Sequence, residues 1–323
     1  MLFNRLNGKC QLKPLLRKQK MKKILLFVLV LLGIAQVANG QVVQDWVVEL
    51  HEAHIYNDMP YRLMKPINFD PNKSYPVIVS LHGGAGRGSD NLKQLRGWNQ
   101  FLAEEQRRTD YPSYVLVPQA NSGWNTTHLQ NIKDIIKDLP SVDMNRIYIL
   151  GHSMGGEGTY RIIQSDPDYF AAAAPSAGSG LARGEDFIDA SVIKDIPIWA
   201  FHGDQDNVCP IERDQKLFSE MQKIGGNMKL TTWVGDGHGV AVKMITGSDN
   251  GSTQLSSDRC DPEPVFLKWL FAQKLTPNWV KLHEPYIYYD IPYRLMKPID
   301  SILTRAIQLL FHCTAVVAEG QIT

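Results

Sequence analysis

The chain has 323 residues, enough for one large domain or two small ones. Its composition is that of a globular protein, with 44% hydrophobic and 21% charged residues. A net charge of +1 gives no reason to expect nucleic acid or an acidic surface as partner.

The chain opens on a targeting pattern. Arg17, Lys18, Lys20, Lys22 and Lys23 form a basic region, and Ile24 to Ala35 an apolar one. Ala38-Asn39-Gly40 then offers small residues at a cleavage site before Gln41. The apolar run is shorter than the roughly 20 residues of a membrane span, so residues 21–40 read as a signal peptide rather than an anchor. Met21 is the expected start, which makes residues 1–20 an upstream misstart. The mature protein is expected to be secreted or periplasmic, with no membrane association after cleavage.

From residue 41 to 275 the pattern is that of one domain. "WVVELHEAHIY" and "PYRLMKPI" read as an antiparallel edge hairpin. Short continuous apolar runs follow at 76–83, 113–119, 146–153, 170–178, 197–203 and 229–235. Such runs suit strands buried on both faces, as in a parallel sheet. Helix-like stretches lie between them at 91–106, 127–138, 155–164 and 211–224, and 263–273 closes the domain. The expected fold is a mostly parallel, doubly wound α/β sheet with helices on both faces and functional loops at the carboxyl ends of the strands.

Past Pro277 the chain repeats itself. "HEAHIYNDMPYRLMKPIN" (51–68) and "HEPYIYYDIPYRLMKPID" (283–300) agree at 13 of 18 positions, and the match then stops. Back-translated one base out of register, residues 301–323 reproduce 22 of the 23 residues of 69–91. Residues 276–300 are therefore expected to be a linker and the start of a truncated second copy, and 301–323 a frameshifted, disordered tail. Of four cysteines, Cys10 precedes the signal and Cys313 lies in the tail. Cys209 and Cys260 remain, and the sequence leaves a disulfide and two separate thiols equally open.

"GHSMGG" (151–156) sits between the strand "RIYIL" and a helix-like run. G-x-S-x-G in that setting is a nucleophile elbow, whose glycines permit the tight turn that exposes Ser153. A serine hydroxyl needs a base, and the base an acid to orient it. Downstream, "WVGDGHGV" (233–240) supplies His238. "FHGDQDNVCP" (201–210) supplies the acid, where depth in the loop favours Asp206 over Asp204, with Asp236 third. His82, His152 and His202, beside glycines at strand ends, read as loop-shaping residues. An oxyanion hole requires two backbone N–H groups, expected from Met154 and from Gly84 in "HGGAGRG". No C-x-x-C or H-E-x-x-H spacing occurs, so no metal or cofactor is expected.

Together "YPVIVSLHGGAGRGSDN", "VPQANSGW", "DMNRIYILGHSMGGEGTY", "FAAAAPSAG", "IPIWAFHGDQDNVCP" and "GDGHG" resemble the secreted α/β-hydrolase esterases. The groups that look nearest are feruloyl and acetyl-xylan esterases, polyhydroxybutyrate-depolymerase-like esterases and the "predicted peptidase" set related to prolyl oligopeptidases. The resemblance implies an α/β-hydrolase fold, a Ser153–Asp206–His238 triad and oxyanion donors at Met154 and Gly84. It implies a small-molecule or polysaccharide-linked ester as substrate, and Trp124 in "NSGWN" resembles an aromatic position beside the active site, which leaves substrate contact and exposed-rim packing equally open. Family members often carry valine at the place of Cys209. Loops 121–130, 178–190 and 240–260 are expected to set specificity. The alternatives are a serine peptidase of the prolyl-oligopeptidase-related type and a non-catalytic binding protein.

Overall fold

The computed structural model describes residues 43–275, apart from 181–183 and 185. The expectations for residues 1–20, 21–40, 276–300 and 301–323 fall outside the described residues. Among the described residues nine strands form one sheet in the order β1-β2-β4-β3-β5-β6-β7-β8-β9. They are β1 (Glu52–Tyr56), β2 (Met59–Met64), β3 (Tyr75–Leu81), β4 (Tyr114–Pro118), β5 (Val142–His152), β6 (Ala172–Ser176), β7 (Ile198–Gly203), β8 (Met228–Trp233) and β9 (Gly251–Leu255). The six interior strands β4-β3-β5-β6-β7-β8 pair in parallel. The hairpin β1-β2 on one side and β9 on the other are antiparallel.

The six apolar runs all became the parallel strands. They are buried on both faces because each residue points to the opposite side from the last. In β5, Ile147 and Ile149 join one core layer, and Tyr148 and Leu150 the other. The first layer is closed by α4 (Thr126–Asp138), α5 (Met154–Ser165), α6 (Ala190–Ile193) and α7 (Glu212–Lys223). The second is closed by α1 (Asp45–Leu50), α2 (Gly97–Leu102), α8 (Ala241–Thr246) and α9 (Phe266–Ala272). The short helix α3 (Glu105–Asp110) follows α2.

Three sequence readings are corrected. "WVVEL" is not a strand of the edge hairpin but helix α1, which turns Val47 into the core. The hairpin is β1-β2, closed by Asn57 and Asp58, both at positive φ (47° and 60°), the backbone of the tight turn that matches strand twist. The helix expected over 91–106 is two pieces, α2 and α3. Its first six residues form polar turns in which the Asp90 carboxylate accepts from the N–H groups of Leu92 and Lys93. Strand β9 was not foreseen, because "GSTQL" is polar and exposed throughout and carries no hydrophobic period.

Candidate active site

Four loops at the carboxyl ends of β3, β5, β7 and β8 meet at one point. Ser153 stands between β5 and α5 with φ 58° and ψ −121°, a strained conformation for a residue with a side chain. Two glycines make that turn possible. A Cβ on Gly151 would lie 2.3 Å from the Gly155 carbonyl oxygen, and one on Gly155 would lie 2.1 Å from the Leu81 carbonyl oxygen. The turn is thus wedged against the end of β3, and the Ser153 N–H is tied to the Ser176 carbonyl at 2.9 Å.

His238, in the loop after β8, brings Nε2 to 2.8 Å from Ser153 Oγ. Its Nδ1 lies 2.7 Å from Asp206 Oδ2. The other Asp206 oxygen accepts from the N–H groups of Val208 (2.8 Å) and Cys209 (2.9 Å). Burial raises the Asp206 carboxyl, but the hydrogen bonds from His238, Cys209 and Val208 outweigh it and hold the group below its usual range. In this arrangement Nδ1–H donates to the carboxylate, which leaves Nε2 free to accept the serine proton. Ser153, His238 and Asp206 therefore lie in one hydrogen-bonded chain, although they come from three separate loops.

The other two carboxylates of the sequence reading have separate partners. Asp204 accepts from the Gly235 N–H at 2.7 Å, tying the β7 loop to the β8 loop. Asp236 pairs with Lys243. Cys209 and Cys260 are both free and buried, so the alternative of two separate thiols holds.

The Met154 N–H opens the first turn of α5, where backbone donors lack partners within the helix. Gly83 packs against the elbow, with its would-be Cβ 3.2 Å from Ser153 Cβ. Gly84 starts a single 3-10 turn over Gly84–Gly86 and faces open space where a side chain would go. His82 shapes this loop as expected. Its Nδ1 lies 2.7 Å from the Gly83 carbonyl oxygen, and its Nε2 accepts from the Ala120 N–H at 3.0 Å. Burial pushes its pKa down to about 4, so the ring is neutral and one proton satisfies both contacts.

The expectation for Trp124 is corrected. The side chain is 3% exposed and lies in the core layer beneath the site rather than at its rim. Its indole N–H donates to the His82 carbonyl at 3.2 Å, and its ring fills the space left by Gly158 in α5. With so little free surface it supports the loop instead of meeting a ligand. Sequence reading overlooked Arg87, whose Nε lies 3.1 Å from the Met154 sulfur, and Asp214 in α7, buried against His202. Arg87 lies within the "HGGAGRG" string, which was read for its glycines alone, and Asp214 carried no motif signal. Among the described residues no cluster of three or more His, Cys, Asp or Glu side chains is placed to hold a metal, and no helix is long and apolar enough to cross a membrane.

A largely parallel sheet flanked by helices, with an elbow after β5 and the other site loops after β3, β7 and β8, defines an α/β-hydrolase fold. By fold the chain is an α/β-hydrolase, and the proteins it resembles include esterases and a peptidase. Residues 116–259 match the model of the Dienelactone hydrolase family. A solved structure of a thermostable esterase is 32% identical, with a TM-score of 0.56 over 71% of this chain and 64% of that one. A bifunctional acetylxylan esterase/xylanase of Neocallimastix patriciarum is 25% identical over 63% of this chain and 32% of its own length. An uncharacterized peptidase of Bacillus subtilis (strain 168) is 23% identical over 55% of this chain and 33% of its own. The chain thus spans about a third of the length of these two curated relatives.

Proposed function

We propose that the protein is a secreted or periplasmic serine esterase, with Ser153 as nucleophile, His238 as general base and Asp206 as the acid that orients it. The observation that carries this reading is the continuous chain Ser153 Oγ to His238 to Asp206, at 2.8 and 2.7 Å. His238 takes the serine proton as Oγ attacks an ester carbonyl. The N–H groups of Met154 and Gly84 hold the oxyanion, each contributing about 3 kcal/mol to the transition state. The protonated His238 then donates to the departing alcohol, and water repeats the cycle on the acyl-enzyme. No step draws on a metal or cofactor.

The substrate class we propose is an acyl ester on plant polysaccharide or a related extracellular ester. Its support is the likeness to the esterase structure and to the acetylxylan esterase/xylanase. Likeness to the Bacillus peptidase favours amide hydrolysis as the second reading.

One panel separates the readings: p-nitrophenyl esters, methyl hydroxycinnamates, acetylated xylan and peptide anilides, offered to wild type and Ser153→Ala. The esterase reading expects turnover of esters and a fall of roughly 10⁶-fold in kcat on substitution, about 8 kcal/mol. Turnover confined to the anilides supports the peptidase. Equal ester turnover by both proteins removes Ser153 from the mechanism.

A further inference from the structure

Behind Asp206 lies a second histidine that the mechanism above does not use. His202, at the end of β7, has a side chain with no solvent exposure. Its Nδ1 lies 2.5 Å from Asp214 Oδ2. Its Nε2 lies 2.7 Å from the Cys209 carbonyl oxygen and 3.2 Å from Asp206 Oδ2. A carbonyl oxygen can only accept, and so can an ionised carboxylate. A neutral imidazole has one N–H and can satisfy only one of these two sides. His82, equally buried, meets an acceptor on one side and a donor on the other, and is content neutral. His202 has acceptors on both.

Charge balance leads to the same state. Asp206 is held as a carboxylate by two backbone N–H groups and His238. Asp214 accepts from the Tyr160 hydroxyl at 3.1 Å. Two carboxylates buried this close require a cation between them. Burial opposes charge on His202, but its contacts with Asp214, Cys209 and Asp206 prevail and raise its pKa. The titratable groups around the ring include Asp214 from α7, Tyr160 from α5, Asp206 and the Cys209 thiol from its own loop, the thiol pushed up to about 12 by burial and hence neutral, and, one layer out, His238 and His152. His152 is neutral, since burial pushes it down to about 3.

We propose that His202 is a positioning residue held as an imidazolium between Asp214 and Asp206, and that its charge keeps Asp206 ionised and the adjoining base unprotonated to lower pH. The inference rests on the triad reading given above. Both imidazoles meet the same Asp206 oxygen, Oδ2, from two directions. His202 thereby restrains the carboxylate against rotation. A positive charge on the far side of Asp206 also disfavours a second positive charge on His238.

The first arm of the test needs no substrate. A long-range ¹H–¹⁵N correlation spectrum of the full chain, labelled at histidine, is recorded at pH 7.5. There an ordinary histidine, with a pKa near 6.5, is about nine-tenths neutral. One histidine is expected with both ring nitrogens protonated. It is assigned to His202 by its disappearance in His202→Gln. A spectrum with every ring neutral at pH 7.5 overturns the proposal, including the case of a neutral His202 facing a protonated Asp214. This arm stands even if no ester is turned over, and if the variant does not fold the signal is assigned instead by through-space contacts to protons of Asp214 and Cys209.

The second arm reads the acid limb of kcat/KM against pH on whichever substrate the panel selects. Removing the charge in His202→Gln should move that limb to higher pH by roughly two units, as expected for a unit charge acting from the far side of Asp206 at an effective dielectric constant of about 20. Since His202→Gln strands the Asp214 charge, His202→Gln/Asp214→Asn is measured beside it and should shift the limb the same way. A uniform loss of kcat with the limb in place would mean that His202 only packs. Failure of the spectrum with intact triad kinetics sinks this inference alone. Inert kinetics with the imidazolium present sinks the esterase reading alone.

Discussion

At Gly155 a single hydrogen atom decides whether the elbow can form. The carbonyl oxygens of Leu81 and His82 stand 2.1 and 2.8 Å from where a methyl group would begin, and both are backbone atoms that cannot swing away. Gly155→Ala is therefore expected to cost about 3 kcal/mol or more, read as a lower urea midpoint at unchanged slope. Gly84→Ala supplies the contrast. Its would-be Cβ has open space, so stability should stay within about 0.5 kcal/mol of wild type. Equal destabilisation of the two would show that the wedge between β3 and α5 is not the reason for glycine at 155. Both glycines were legible in the sequence through the G-x-S-x-G and H-G-G strings. Trp124 was misread because nothing local says which way a loop tryptophan turns. It turned inward because Gly158, on another element, leaves a hollow of matching size.

Helix α4 shows the reach of local chemistry at the scale of an element. Asn125 caps it by accepting from the His128 N–H at 3.1 Å, while His128 Nδ1 accepts in return from the Asn125 N–H at 3.3 Å. Leu129, Ile132, Ile135 and Ile136 then fall on one face and close a core layer. Asn125→Ala should cost about 1 kcal/mol and lower Tm by about 2–4 °C. No change in Tm would mean that burial of the apolar face alone sets the helix. Elements with a strong period were readable in this way, to within two or three residues. Those without one were not. Helix α1 has β-branched residues and reads as a strand, yet it is helical because the chain must turn Val47 onto the second core layer before entering β1.

At the scale of the whole molecule, buried histidines set the acid limit of stability. Burial lowers His51 to about 4, His82 to about 4 and His152 to about 3. In the unfolded chain all three bind protons near pH 6.5, whereas in the folded protein they do so only at or below about 4. The unfolded state thus holds more protons between these values, and stability falls as pH drops from about 6.5 to 4. Three such groups give a slope of up to about 4 kcal/mol per pH unit. His202 has the opposite sign. Its raised value contributes stability that is complete below about pH 6.5 and is lost as pH rises through its folded value. Urea midpoints at pH 7.5, 6.0 and 5.0 should decline steeply. A midpoint that stays level to pH 5.0 would mean that these rings are not buried as neutral groups.

The sequence by itself determined the six parallel strands and the helices with a clear apolar period, and it singled out Ser153, His238 and Asp206 as candidates, because each is written in a short window. Apolar runs of seven to nine residues bury on both faces of a parallel sheet, and glycine spacing around a serine fits one strand-to-helix turn. Tertiary structure alone decided which side chains meet. Ser153 and His238 are 85 residues apart, and Asp206 and His238 are 32 apart. His202 reaches Asp214 only because α7 packs where its first turn faces the end of β7. A buried charge answers to whatever the fold sets beside it, and that neighbourhood is not encoded in any local period.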